Sequence, residues 1–411
     1  MFGDINAGQL AELQLNVGAA GSYTIFRDDV DIKVSAGKAY DAAVLEDGTV
    51  VITTKSVADI ADGAGISIQA AGTIAGLANT TSNKAHQVSL ALQEALNAGD
   101  AAYVEAETAK LNPTDKPVVQ AASTSVQNQV LSLTSGRMAG GAVIGRAGGD
   151  VRSQENGFWI QGLYNKSKFA DQFHGYTRGV ALGADTLIDK QWTLGGGIAF
   201  NNSNIHANNG AYTDISSQTL FVYGQYKPSK WFMNATATYT LSEYTENKTA
   251  AGVGLGAAYD VDAYGAQFMT GYDFATGITT QAGMRYLHIA QDSYVDDRDA
   301  QIMATDTDFL SGVAGLKYAF AIENDWAIQL RPELYASVTY DFISDDTATT
   351  VVTPGVDAYA VNGNRLSRIG GEFGIGFTAQ YKGVEMSLMY DLDLHKDYTS
   401  QTGMLKFRFN F

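Results

Sequence analysis

The sequence predicts a closed, all-β transmembrane barrel of about twelve antiparallel strands, with a helix in its lumen and a small β-rich segment ahead of it. Three observations point there. Segments alternating apolar and polar residues follow one another from residue 157 to 411 almost without a break. The connections between them alternate short and long, and the last strand carries an apolar residue at every second position up to Phe411. A tilted strand crosses a bilayer with only about 9–11 residues, so a spanning barrel is compatible with a mean hydropathy of -0.10.

Composition narrows the class further. With Gly 44, Pro 5 and 11% aromatics among 411 residues, the chain suits many long strands better than a loop-rich fold. No apolar run approaches the roughly 18 residues that a helical anchor requires. The net charge of -17 leaves no basic stripe to neutralise phosphates, which excludes nucleic acid as a partner. Cysteine is absent, so neither disulfides nor thiolate metal sites contribute. No basic stretch and apolar run with a cleavage site follows Met1. An exported barrel needs such a leader, so the chain reads as processed or truncated.

Residues 1–80 read as short strands and turns. Ile32 and Val34 alternate with polar neighbours, residues 49–53 are β-prone, and residues 65–70 repeat the pattern after a glycine turn. They fit either the last coils of an elongated β-structure or a small external β domain. Residues 81–142 form a helical linker. Val88, Leu92 and Leu96 share one face, residues 97–100 break that helix and cap a second over 101–111, and residues 112–115 end it. A third helix is expected over 117–135, with Val119, Val126, Val130 and Leu133 among small and polar side chains. Ser125, Gln127, Asn128, Gln129 and Ser132 make it too polar for an apolar core and suited to a hydrogen-bonding lumen. An exposed amphipathic helix is the competing reading.

The barrel strands are placed at 157–168, 175–187, 191–203, 214–227, 231–245, 260–272, 277–289, 306–320, 326–342, 368–381, 384–394 and 402–411. An even count returns both ends of the barrel to one side of the membrane. Connections after even strands are short, at 188–190, 228–230, 273–276, 321–325 and 382–383. Those at 204–213, 246–259, 290–305 and 343–367 are long, the asymmetry between periplasmic turns and external loops. In the last strand Gly403, Leu405, Phe407, Phe409 and Phe411 share the lipid face, which leaves Lys406 and Arg408 to the lumen. Gln218, Tyr223 and Gln225, with Glu372, Gly374 and Gly376, are assigned to the lumen as well. Trp159, Trp192, Trp231, Tyr272, Trp326 and Tyr340 are assigned to interfacial girdles.

Residues 156–162 (NGFWIQG), 130–138 (VLSLTSGRM), 331–336 (RPELYA) and 406–411 (KFRFNF) together resemble the translocator unit of a classical, monomeric type V autotransporter over roughly residues 83–411. The resemblance implies a bacterial outer-membrane barrel traversed by a helix, which anchors and delivers an amino-terminal passenger to the cell surface. It implies that Phe407, Phe409 and Phe411 are read by the barrel-assembly machinery, that periplasmic chaperones act before insertion, and that outer-membrane lipid surrounds the barrel. A missing passenger would carry any surface-layer or host-surface ligand. Some members release the passenger by cyclising an asparagine inside the barrel. Asn128 is the candidate, but the paired-asparagine junction of one subgroup is absent, and ordinary helix polarity is the better reading.

Other chemistry finds little support. His86, His174, His206, His288 and His395 are dispersed and form no metal motif, so no cofactor or metal is expected. Residues 140–145 lack the ending of a phosphate loop and read as a flexible junction. Asp292, Asp296, Asp297, Asp299, Asp306 and Asp308 read as solvated loop charge, since their spacing departs from a calcium loop. No serine has a histidine and carboxylate at recognisable spacing, so no catalytic residue is assigned. The competing functions are an adhesive or surface-layer protein anchored by the barrel, an outer-membrane porin, and a barrel hydrolase.

Overall fold

The computed structural model describes residues 11–14, 20–24, 32–46, 49–113, 115–140, 156–170, 172–189, 191–275, 277–322, 328–345, 348–355, 357–362 and 366–411. Five short strands come first: β1 (Ala11–Gln14), β2 (Gly21–Thr24), β3 (Ile32–Ser35), β4 (Tyr40–Val44) and β5 (Thr49–Thr54). β1 pairs in parallel with β3, and β5 lies between β2 and β4.

Helices α1 (Val57–Ala64), α2 (Ile68–Ala78), α3 (Asn83–Ala98) and α4 (Ala101–Lys110) follow. Each starts where a side-chain oxygen accepts an orphan backbone N–H: Ser56 from Asp59, Ser67 from Ala70, Ser82 from Ala85 and Asp100 from Tyr103. The expectation of a strand at 65–70 is therefore corrected. Gly65 ends α1 at φ 68°, Ser67 caps α2, and Ile68 is exposed rather than alternating into a core. Ile52, Ile60 and Ile74 share one core with Val88, Leu92, Leu96 and Val104, so the residues on either side of 80 pack together.

Helix α5 (Asp115–Gly140) is longer at both ends than the expected 117–135. After it come β6 (Asn156–Phe169), β7 (Phe173–Ile188), β8 (Trp192–Ala207), β9 (Tyr212–Tyr226), β10 (Trp231–Ala250), β11 (Val253–Asp273), β12 (Ile278–Gln291), β13 (Tyr294–Val295), β14 (Gln301–Ile302), β15 (Thr305–Ala319), β16 (Gln329–Ser344), β17 (Ala348–Val352), β18 (Tyr359–Asn362), β19 (Ile369–Tyr381), β20 (Val384–His395) and β21 (Tyr398–Asn410). Twelve of them close a barrel in which each strand pairs with its neighbour in sequence and β21 returns to β6. β13, β14, β17 and β18 form a separate small sheet within the long loops. Closure satisfies every strand edge, a necessity in hydrocarbon. Residues 141–155 and Trp326 lie outside the described residues, and with them most of the expected flexible junction and one girdle position.

Alternation is clearest in β10, where Asn234, Thr236, Thr238, Thr240 and Ser242 are buried inward and Tyr239 and Leu241 lie on the exposed face. Residues 246–259, expected as a loop, instead continue β10 and β11 into a long hairpin that turns on Ala251 and Gly252, both at positive φ. Their polar look misleads because Glu246 and Lys248 face inward and pair at 3.0 Å. Ala250 and Leu255 at the hairpin tip join the core of the helical domain.

Two face assignments change as well. Gln218 is exposed and lies on the opposite face from buried Tyr223 and Gln225, as its even position in β9 dictates. Trp159 is only 1% exposed and sits opposite Arg408 on the lumen face, so it belongs to no girdle. Trp192 and Trp231 do stand on the outer surface at the short-turn end, both against Tyr226. Tyr272 and Tyr340 are also exposed.

Candidate functional site: the occupied lumen

α5 runs inside the barrel along β8–β12. Near its start, Val118, Val119, Ala121 and Ala122 pack among Phe173, Ile215, Tyr244 and Tyr259 toward the long-loop end. Near its finish, Val130, Leu133 and Met138 pack on Trp159, Phe221 and Tyr223 toward the short-turn end. The helix therefore enters at the long-loop mouth and finishes near the mouth where Asn156 and Phe411 lie. The sequence favours this seat because small wall residues let the backbone approach. A Cβ on Gly265 would collide with the Gln127 amide and the Thr238 hydroxyl.

Between the apolar ends the contacts are polar. Gln127 Nε2 donates to the Tyr286 carbonyl at 3.0 Å, and the Thr134 and Thr236 hydroxyl oxygens lie 3.2 Å apart. On the other side Asn128 Nδ2 donates to Asp393 at 3.3 Å and Ser132 Oγ donates to Asp391. The spacings match: four helical residues rise about 6 Å and two strand residues about 6.6 Å, so Asp391 and Asp393 meet successive turns of the helix. Gln129 bonds back to Ser125 at 3.1 Å. All five expected helix residues thus lie in the lumen, and Asn128 has an ordinary hydrogen-bonding partner. Sequence reasoning missed Asp391 and Asp393, although their period-two spacing in β20 places them on one face.

A cavity of about 120 Å³ separates this polar face of α5 from the far wall. The lumen holds its charges in pairs. Arg285 reaches from β12 to Glu372 on β19 with two hydrogen bonds and donates Nε to Gln267 at 2.6 Å, while Lys317 meets Glu333 at 2.7 Å. Lys406 lies 3.9 Å from Glu385. Arg408 is fully buried and its Nη2 lies 2.6 Å from Asp185, reaching across Gly157, where any Cβ would strike the guanidinium. Asp185 also accepts from Tyr223, which in turn accepts from the Trp159 indole at 3.1 Å. Lys406 and Arg408 face the lumen, whereas Phe407, Phe409 and Phe411 are exposed on the outer face, Phe411 by 71%.

The helical domain covers the long-loop mouth. Lys84 Nζ lies 2.6 Å from Asp297, which also accepts from Gly256 N–H. Asp299 accepts from both the N–H and the hydroxyl of Thr81, and Glu107 accepts from Ala251 N–H at 2.6 Å. The reading of the acidic loop as solvated charge is corrected for three of its six carboxylates: Asp296 is buried against Arg298, and Asp297 and Asp299 tie loop to domain, while Asp292 and Asp306 are exposed. The Lys84 hydrogen bond holds the Asp297 carboxyl below its usual range. Burial pushes the Asp299 and Glu107 carboxyls up. Hydrogen bonds from Thr81 and Thr80 to Asp299, and from Lys110 and Ala251 to Glu107, outweigh it, so both also lie low.

Among the described residues no helix is long and apolar enough to cross a membrane, and no group of three metal-ligating side chains forms. Comparison with known proteins agrees with the architecture. Outer membrane protein A of Rickettsia conorii is 27% identical over 283 residues, covering 62% of this chain and 14% of that protein. Outer membrane protein B of Rickettsia prowazekii is 24% identical over 305 residues, covering 67% of this chain and 18% of that protein. The chain therefore spans less than a fifth of the length of these relatives. The translocator domain of the autotransporter NalP from Neisseria meningitidis superposes with a TM-score of 0.60 at 17% identity, covering 73% of this chain and all of that one. Residues 158–391, more than half of the 411, match the autotransporter beta-domain model, and this chain belongs to the autotransporter beta-domain family.

Proposed function

We propose that the barrel anchors the chain in the bacterial outer membrane and that its lumen is the route by which an amino-terminal passenger reaches the cell surface. The domain over the long-loop mouth is then a membrane-proximal part of that passenger. The observation that carries this reading is α5 itself, a polar, small-sided helix seated along a closed barrel and joined at its start to a domain outside. A free pore serves a porin, and here the helix occupies it. The role is anchoring and transport rather than catalysis. An adhesive or structural role would reside in the passenger.

Phe407, Phe409 and Phe411 form the signal read by the barrel-assembly machinery after periplasmic chaperones deliver the chain, and outer-membrane lipid receives the same faces afterwards. Phe411→Ser is expected to lower the heat-modifiable, membrane-fractionating population. Insertion equal to the parent contradicts that role.

The route is tested by single cysteines in this cysteine-free chain. Glu46→Cys, in the external domain, is expected to react with a membrane-impermeant maleimide in intact cells. Ser229→Cys, in a short turn, is expected to react only after the outer membrane is permeabilised. Protection of the thiol introduced by Glu46→Cys in intact cells sinks the proposal.

A further inference from the structure

The outer rim of the barrel carries opposite charges on opposite arcs. Toward the external ends of β10, β11 and β15 the outward positions include Glu243, Asp260, Asp262, Asp306 and Asp308. Across β6 and β7 they are Lys166, Lys168 and Arg178, all exposed. Among the described residues no carboxylate forms an ion pair with these three.

Their height on the wall is fixed by register. Leu405, Val180 and Phe200 form, with Gly162, the last apolar row of the lipid-facing surface. The next row pairs Tyr164 with Arg178, the next Lys166 with Tyr176, and the next Lys168 with His174. Successive outward rows are about 6.6 Å apart along a strand, so the three cations span about 20 Å of strand beyond the apolar band, or ~15 Å of height at a strand tilt of about 40°. Tyr164 and Tyr176 lie between them with ring centroids 6.5 Å apart, and the Lys166 ammonium sits 5.9 Å over the Tyr176 ring. Tyrosine at that height is the interfacial aromatic of a membrane protein. The exposed turn at Lys396 and Asp397 adjoins the patch and adds one charge of each sign.

We propose that this arc binds the phosphorylated headgroup of an outer-leaflet glycolipid. An apolar wall that continues directly into three unpaired cations fits one amphiphile, its acyl chains along Leu405, Val180 and Phe200 and its phosphates on Lys166, Lys168 and Arg178. A soluble acidic protein has no use for the apolar rows below. Arg178 offers paired donors to phosphate oxygens, and the two lysines act as point charges. The acidic arc repels the same headgroup, so the lipid is retained on one side of the barrel.

The test uses the full chain folded in detergent, with bound lipid counted by native mass spectrometry. Diphosphorylated lipid A and its dephosphorylated form are the probes, and inorganic phosphate is the competitor. The parent is expected to retain the diphosphorylated form about tenfold better or more, since basic residues near a membrane surface attract anionic headgroups. Lys166→Gln/Lys168→Gln/Arg178→Gln removes that preference. Lys55→Gln/Lys230→Gln/Lys382→Gln, which removes three positive charges elsewhere, keeps it. Heat-modifiable mobility verifies that both variants fold. Equal retention by the two variants, indifference of the parent to phosphorylation, or displacement by equimolar inorganic phosphate each overturns the proposal. None of these outcomes bears on the route through the lumen.

Discussion

The two walls of the lumen hold the same helix by different physics. Along β8–β12 the wall is close, with glycine and hydroxyl residues admitting α5 to packing distance and apolar clusters fixing both of its ends. Along β16 and β19–β21 it stands back across a cavity and touches the helix chiefly through Asp391 and Asp393. Seating by shape sets where the helix lies. Carboxylates two residues apart, meeting polar side chains four apart, set its register. On the proposed route, polar contacts that exchange readily with water also suit a lumen that passenger sequence has to traverse.

That contrast can be broken from either side. The largest effect is expected where charge is sealed. Arg408→Met removes the counter-charge of the fully buried Asp185 carboxylate and should cost about 3–5 kcal/mol, read as a lower temperature for losing the heat-modifiable form. Unchanged stability would mean that the pair is solvated. On the close wall, Gly265→Val drives a side chain into Gln127 and should cost about 1–3 kcal/mol while raising single-channel conductance as the helix is displaced. A variant as closed as the parent would refute seating by shape. On the distant wall, Ser132→Ala removes one hydrogen bond to Asp391 and should cost only about 1 kcal/mol, with conductance little changed.

The smallest effect concerns the external domain. Asp297, Asp299 and Glu107 have carboxyls held below their ordinary values in the folded state. Their contribution to docking is therefore complete above the ordinary carboxylate range and is lost as pH falls through the lowered folded values. Protection of the Ala251 and Gly256 amides from hydrogen exchange, taken relative to their intrinsic rates at each pH, should fall in acid below about pH 4, while protection in mid-barrel strands stays constant. Loss of that protection only on raising the pH would reverse the sign and refute the assignment.

Much of the barrel was legible because lipid outside and polar groups inside write a period of two into each strand. Legibility failed where that contrast disappears. Beyond the membrane, Glu246 and Lys248 satisfy each other inside the hairpin, and a strand imitates a loop. Trp159 follows the parity of β6 rather than the preference of tryptophan for interfaces, because the lower end of α5 needs an apolar floor. Ile66 and Ile68 imitate a strand over too short a span, although the Ser56 to Asp59 spacing, with Ser56 Oγ donating to Asp59 at 2.6 Å, was a usable helix-start signal. The polar helix was visible from composition. Its partners on β20 were not, since pairing at a separation of some 260 residues depends on barrel closure.

The central claim is that α5 occupies the lumen of the assembled barrel in the cell. Thr134 on the helix and Thr236 on the wall have hydroxyl oxygens 3.2 Å apart, and the chain contains no other thiol to confuse the result. Thr134→Cys/Thr236→Cys is expected to form a disulfide in intact cells, giving a species that is shifted on non-reducing gels and still heat-modifiable. Thr219→Cys/Thr240→Cys, between adjacent wall strands with hydroxyl oxygens 2.9 Å apart, provides the positive control. A control pair that oxidises while the helix pair stays reduced, even with added oxidant, would contradict the account.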